Sequence, residues 1–234
     1  LLYPVFGTNA FQLSKNRFQF QKVKNKYITH VLEGQLDTGK MMTALTHLVQ
    51  SSGTIILNGV RVENFMDNRT SVTVKTEHFE YTTRRLMIAT NGFASELLKE
   101  DVKPARAQVV VTKPIKQLRI KGTFHLDEGY YYFRNVDNRI LLGGGRNLDF
   151  ATEETTQFGE TERVQNQLEK LLGEVILPDA SFEIEQRWSG IMGVGPQKLP
   201  IVKQLSDSVY CAVRLGGMGI AIGSKVGEEL VDLI

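Results

Sequence analysis

The chain has 234 residues, 41% hydrophobic and 23% charged, with a formal net charge of +2. That length and balance suit a soluble globular protein with a substantial core, in one large domain or two small ones. The small net charge gives no support to a nucleic-acid partner.

Leu1 to Phe6 has neither the charged start nor the long apolar middle of a signal peptide. A chain that begins at Leu1 and stops inside a helical pattern reads as a piece of a longer protein. Residues 18–31 contain strand-like alternation, as in Phe18-Gln19-Phe20, and Lys22, Lys24 and Lys26 read as a solvated strand face. Asp37 can cap a helix running to about Gln50, with Met41, Met42, Leu45, Leu48 and Val49 at helical spacing. Ser51-Ser52-Gly53 ends it. Strands are predicted at 54–57 and 60–65, then a turn at Asp67-Asn68 and a hairpin of 71–75 with 78–82. A short apolar strand at 85–89 leads into Thr90-Asn91-Gly92 and a brief helix at 94–99.

The character then changes. Strands are predicted at 107–112, 122–125, 130–134, 139–143 and 181–187, interrupted by one long helix at about 160–172. Val164, Leu168, Leu171 and Leu172 give that helix a buried stripe. Residues 105–190 therefore read as a mostly antiparallel sheet carrying a helix, flanked by α/β segments, α+β overall. No repeat, low-complexity tract or charge block is present.

Near the end, the apolar run Val209-Tyr210-Cys211-Ala212-Val213-Arg214-Leu215 meets Gly216-Gly217-Met218-Gly219 and passes into an amphipathic helix from Ile220. Cys211, the single cysteine, allows no intrachain disulfide and reads as a core residue, not a nucleophile. A strand, a tight turn and a helix start expose N–H groups and the positive end of a helix dipole. Glycines there let a flat ligand approach the backbone. Gly217-x-Gly219-x-x-Ile222 departs from the dinucleotide fingerprint, because the third glycine is isoleucine and no strand with a later acidic residue follows. On the residues alone, the loop is either a cofactor site or a structural turn.

His30, His47, His78 and His125 lack metal-ligand spacing, so no metal is expected. No nucleophile–histidine–acid set or carboxylate couple is evident. No apolar run approaches the roughly 18 residues of a membrane span, and cytoplasm is the expected location.

One ordered series of segments carries more. It comprises Glu33-Gly34-Gln35-Leu36-Asp37, Gly53-Thr54-Ile55-Ile56 with Val62, Ile88-Ala89-Thr90-Asn91-Gly92 and Pro104-Ala105-Arg106-Ala107-Gln108. Tyr131-Tyr132-Phe133-Arg134, Asn138 to Gly144, Arg187-Trp188-Ser189-Gly190, Pro200-Ile201 and Gly217-Met218-Gly219 complete it. This order resembles the D-amino-acid oxidase-like family of FAD-dependent oxidoreductases, which includes glycine, sarcosine and γ-glutamylputrescine oxidases. The resemblance covers nearly the whole chain after Glu33. Members of that family begin with a strand, a G-x-G-x-x-G turn and a helix that hold the FAD pyrophosphate, and this unit is absent here. The resemblance thus implies a partial FAD-binding domain at 1–104, whose start could belong to the substrate domain. A substrate-binding domain at 105–190 and a return to the FAD-binding domain at 191–234 follow.

By the same resemblance, Val62 would meet the adenine through its backbone, and Ala89, Thr90, Asn91 and Gly92 would pass beneath the adenosine portion. Gly190 would contact the cofactor. Leu215, Gly216, Gly217, Met218, Gly219, Ile220 and Ala221 would lie against the isoalloxazine ring. The helix start there would favour the charge of reduced flavin. Tyr131 would line the substrate pocket, although an aromatic run such as Tyr130-Tyr131-Tyr132 also suits core packing. Arg134 and Arg146 could reach the pocket or cap the sheet. Met192 stands where glycine-oxidase types carry an arginine that clamps the substrate carboxylate. Unless Arg134, Arg146 or Arg187 substitutes, a free α-carboxylate lacks a partner, which tilts the expectation towards an amine. Leu141 stands where the sarcosine-oxidase branch has an oxygen-activating lysine, leaving the electron acceptor as oxygen or another oxidant. The expected reaction is oxidation of the C–N bond of a small amine or amino acid to an imine, by positioning and desolvation beside FAD. The alternative is a non-catalytic fragment or interaction domain that binds no flavin. A nucleic-acid-binding sheet built on Tyr130 to Phe133 is disfavoured by the charge.

Overall fold

The computed structural model describes Val5 and residues 7–234; Leu1–Pro4 and Phe6, on which the reading of the chain's start rests, lie outside the described residues. Two short strands come first, β1 (Phe11–Lys15) and β2 (Lys26–His30), paired antiparallel. Helix α1 (Thr38–Ser51) starts where the Asp37 carboxylate accepts the Lys40 N–H at 3.0 Å. Strands β3 (Val62–Asp67), β4 (Val72–Thr76) and β5 (Glu80–Thr83) form an antiparallel sheet. Strand β6 (Leu86–Ile88) leads to a 3₁₀ turn at Asn91–Glu96. Then come β7 (Lys103–Thr112), β8 (Thr123–Leu126), β9 (Tyr131–Val136) and β10 (Arg139–Gly144). A short helix α2 (Phe150–Glu153) precedes α3 (Glu162–Leu171), which runs on into a π turn where the Leu177 N–H reaches Leu172 O at 2.8 Å. The chain closes with β11 (Ile184–Val194), β12 (Ile201–Ser206), β13 (Val209–Val213) and α4 (Gly219–Val231). The result is a mixed α/β architecture with antiparallel sheets, and among the described residues no helix is long and apolar enough to cross a membrane.

The chain forms two compact units. One takes the described residues up to Leu36, Ala107–Phe150 and Phe158–Gly190; the other takes Asp37–Arg106, Ala151–Gln157 and Ile191–Ile234. In the first, the sheet order is β11-β7-β10-β9-β8. Phe133, Ile140 and Leu142 from its strands are buried with Val164, Leu168 and Leu172 of the α3 segment. In the second unit, β13 lies between β12 and β6, parallel to β6. Every residue of β13 is buried. Val209, Cys211 and Val213 join one cluster with Val72, Val74 and Ile88, while Tyr210 and Ala212 pack with Val226 and Leu230 of α4. A strand covered on both faces reads as a continuous apolar run, as this one does.

Several local expectations are corrected. Residues 54–57 form no strand: Ile55 is 83% exposed, and the segment has no ladder partner among the described residues. Phe18-Gln19-Phe20 is a loop. Gln19 takes a left-handed φ of +61°, and the Asn16 side chain bonds both the N–H and the C=O of Phe20. That turn brings the Phe18 and Phe20 rings against each other in a tilted arrangement, at 5.5 Å between centroids. The brief helix at 94–99 is instead the earlier 3₁₀ turn, and β1 and β12 had no predicted counterpart. Helix α1 forms as expected, yet Met42, Leu45, Leu48 and Val49 are exposed and the helix has no buried residue.

Candidate functional site

The second unit holds a convergence of three backbone segments. After β13 the chain turns through Arg214 and Gly216, both left-handed at φ +65° and +58°. A non-glycine residue in that region carries a cost of roughly 1–2 kcal/mol. The Arg214 side chain fixes it there, with Nε donating to Leu199 O at 2.9 Å and Nη1 to Asp101 O at 3.1 Å. The Leu215 N–H donates to Asn91 Oδ1 at 3.0 Å, and the Gly216 N–H to Gly193 O at 2.9 Å. The loop is thus tied to the turn after β6 and to the end of β11.

The glycines in those partners are there for space. A Cβ on Gly92 would stand 2.7 Å from Ile191 O and 2.8 Å from Met192 O. A Cβ on Gly193 would stand 2.7 Å from Asn91 Oδ1. Gly217 is different. Its φ is not left-handed, and nothing lies within 4 Å of where its Cβ would be. The fold therefore gives no reason for a glycine at that position. Gly219 meets only Leu215, at 3.6 Å, and Met218 offers no side-chain cap. The amides of Gly217, Gly219 and Ile220 find no acceptor among the described residues. Helix α4 thus presents free donors at the positive end of its dipole.

Of the residues singled out for a cofactor, this unit brings together Asn91, Gly92 and Leu215 to Ala221, with Met192 contributing its backbone beside Gly92. Ala89 and Thr90 lie just before the turn, exposed. Val62 opens β3, its side chain packed on the core of that unit. Gly190 falls in the other unit, with open space around it.

In the first unit, strand parity sorts the aromatic run. Tyr131 and Phe133 face the core, Tyr131 only 4% exposed, and burial pushes its hydroxyl pKa up. Tyr132 and Arg134 therefore share the opposite face. There Tyr132 pairs with Gly143 and Arg134 with Leu141. The Tyr132 ring occupies the space over Gly143, where a Cβ would come 2.5 Å from its oxygen, and desolvation raises its pKa as well.

The arginines considered for a carboxylate are engaged within this unit. Arg134 donates to Leu36 O at 2.6 Å, and Arg146 lies over the Phe150 ring at 4.7 Å. Arg187 donates to Gln165 Oε1 and Glu169 Oε1, each at 2.5 Å. Gln165 in turn donates to Gln108, whose amide exchanges hydrogen bonds with Thr161 at the start of α3. Two links escaped the sequence, the Gln108–Thr161 exchange and the bond from Leu215 to Asn91. The Asn91–Leu215 bond joins residues far apart in the chain, and nothing local signals it. The role of Tyr132 would have followed from assigning Phe133 to the core.

Residues 17–233 match the DAO family, described as FAD dependent oxidoreductase. Monomeric sarcosine oxidase from Bacillus sp. (strain NS-129) is 25% identical over 225 residues, covering 86% of this chain and 56% of that protein. Glycine oxidase from Geobacillus kaustophilus superposes with a TM-score of 0.84 at 17% identity, covering 99% of this chain and 64% of that one. L-proline dehydrogenase from P. horikoshii gives 0.77 at 19% identity, covering 95% and 64%. These superpositions establish a shared fold. The chain spans less than two thirds of the length of each of these relatives.

Proposed function

Because the chain belongs to the DAO family of FAD-dependent oxidoreductases, we propose that it forms the flavin-facing and substrate-facing part of an enzyme that oxidises the C–N bond of an amine or amino acid. The observation that carries this is Gly217: a glycine in open space with an ordinary φ, beside free amides at the start of α4. Such a position is explained by a flat ligand lying on the backbone. The residues present fit a flavin ring with an electron-rich rim, and Leu215 to Ala221 would hold it. Val62, Ala89, Thr90, Asn91, Gly92 and Gly190 are the further positions assigned to FAD.

When bound, FAD supplies the acceptor for the two electrons leaving the C–N bond. The chain's own part is electrostatic and steric. The α4 dipole and the free amides would favour negative charge on a flavin rim held there. Arg214, Asn91 and Gly193 hold those donors in place before the reaction begins. For the substrate, Arg134 and Tyr132, which share one sheet face of the first unit, are the groups proposed to line it, and Met192 of the second unit is a separate position assigned to it. Tyr131, on the buried face of the same strand, is the further position that the resemblance assigns to the substrate pocket. With Met192 in place of an arginine, and the guanidiniums of Arg134 and Arg187 already donating to Leu36 O and to Gln165 and Glu169, a substrate carboxylate has no dedicated partner, and an amine is favoured over a free α-amino acid. Leu141, beside Arg134, supplies no cation for oxygen, so the acceptor is oxygen or another oxidant.

A second reading, a folded domain that binds no flavin, draws on the exposed apolar residues of α1 and of 55–57. Purification of the gene product with its natural flanking sequence separates the two. A yellow protein that releases FAD on denaturation is expected, with turnover of amines in a substrate panel. A colourless protein that fails to bind added FAD would refute the proposed function.

A further inference from the structure

We infer that Asn91 is a positioning residue: its side-chain amide sets the place of the loop from Leu215 to Gly219 against the flavin, in place of reading the cofactor itself. The inference rests on the proposed flavin site and adds a cause for its geometry. Asn91 sits at φ +44°, where asparagine is tolerated better than most residues. Its Oδ1 accepts the Leu215 N–H at 3.0 Å, so that acceptor is turned towards protein. The same oxygen and the Asn91 backbone fill the space beside Gly193 to within 3.0 Å of a notional Cβ. Gly193 O then takes the Gly216 N–H at 2.9 Å. One side chain thus holds the Leu215 amide directly and lies against Gly193, whose carbonyl takes the next amide. The free donors of Gly217, Gly219 and Ile220 follow within a few residues. A helix end stabilises charge only if its donors are fixed in advance, so release of Leu215 should alter the flavin and not stability alone.

Two substitutions separate the hydrogen bond from the backbone conformation. Asn91→Gly keeps the left-handed φ and removes the acceptor, while Asn91→Asp keeps an acceptor oxygen. Amide exchange at Leu215, FAD affinity and the visible flavin spectrum are all read in the full gene product. Asn91→Gly should speed Leu215 exchange and weaken FAD binding by roughly tenfold each, the equivalent of one lost hydrogen bond, with a shifted flavin band. Asn91→Asp should retain the slow exchange. Unchanged Leu215 exchange in Asn91→Gly would overturn the inference. So would faster exchange with FAD affinity and spectrum unaltered, because the link would then be structural only. If the unsubstituted polypeptide bound no FAD, the functional reading itself would fall, an outcome distinct from both.

Discussion

Gly217→Ala and Gly92→Ala form a pair that distinguishes a glycine required by a ligand from one required by packing. At Gly92 the new methyl would stand 2.7–2.8 Å from two backbone oxygens and the Ile191 Cγ2, whereas ordinary contact begins at 3.4 Å. The 191–192 backbone would have to retreat by about 0.6 Å, and overpacking of this kind costs roughly 1–3 kcal/mol. At about 2–4 °C per kcal/mol for a chain of this size, the melting temperature should fall by about 2–12 °C. At Gly217 the methyl meets nothing and the φ needs no glycine. Stability without flavin should therefore stay within about 0.5 kcal/mol or rise slightly, since alanine reduces the entropy of the unfolded chain. In the FAD-binding polypeptide the same methyl would stand between backbone and ring. An overpacking cost of roughly 1–3 kcal/mol corresponds to about 5- to 150-fold weaker binding. Thermal melts of the free proteins and a titration with FAD, followed by quenching of its fluorescence, read both. A Gly217→Ala protein that binds FAD as tightly as its parent would refute the placement of the ring on this loop.

Other expectations concern the frame of the second unit. Glu153 and Arg106 form a buried bidentate pair, at 2.8 and 3.1 Å, with Glu153 only 1% exposed. Glu153→Ala takes the carboxylate away from a buried guanidinium, which keeps carbonyl contacts such as Thr152 O and Gln157 O, and should cost about 3–5 kcal/mol, whereas a double change to Arg106→Met and Glu153→Leu should recover much of it; equal melting temperatures for the single and double variants would contradict this. Asp67 is held below its ordinary value of 3.8 by the Ser206 hydroxyl first, then the Ser208 and Arg69 N–H groups. A carboxyl whose folded pKa is depressed adds stability above its unfolded value and loses it as pH falls through the folded one. Acid unfolding should therefore steepen below about pH 4, and Asp67→Asn should flatten that slope while lowering stability at neutral pH; an unchanged acid profile in the variant would count against it.

The chain itself determined what depends on neighbours in sequence. Asp37 specified the start of α1, the spacing of Val164, Leu168 and Leu172 specified the buried stripe of α3, and the run Val209 to Val213 specified a doubly covered strand. The glycine-rich turn into α4 was legible because strand, φ > 0 turn and helix start follow one another directly. Tertiary structure decided the rest. Alternation told that Tyr131 and Tyr132 oppose each other, but only packing on α3 chose Tyr131 for the core. The pairing of Asn91 with Leu215, and of Gln108 with Thr161, joins side chains to backbone and side-chain groups remote along the chain, and no local pattern encodes a partner. Residues 54–57 make the same point in reverse. An apolar period states which face prefers burial, while a strand exists only where another strand takes its hydrogen bonds.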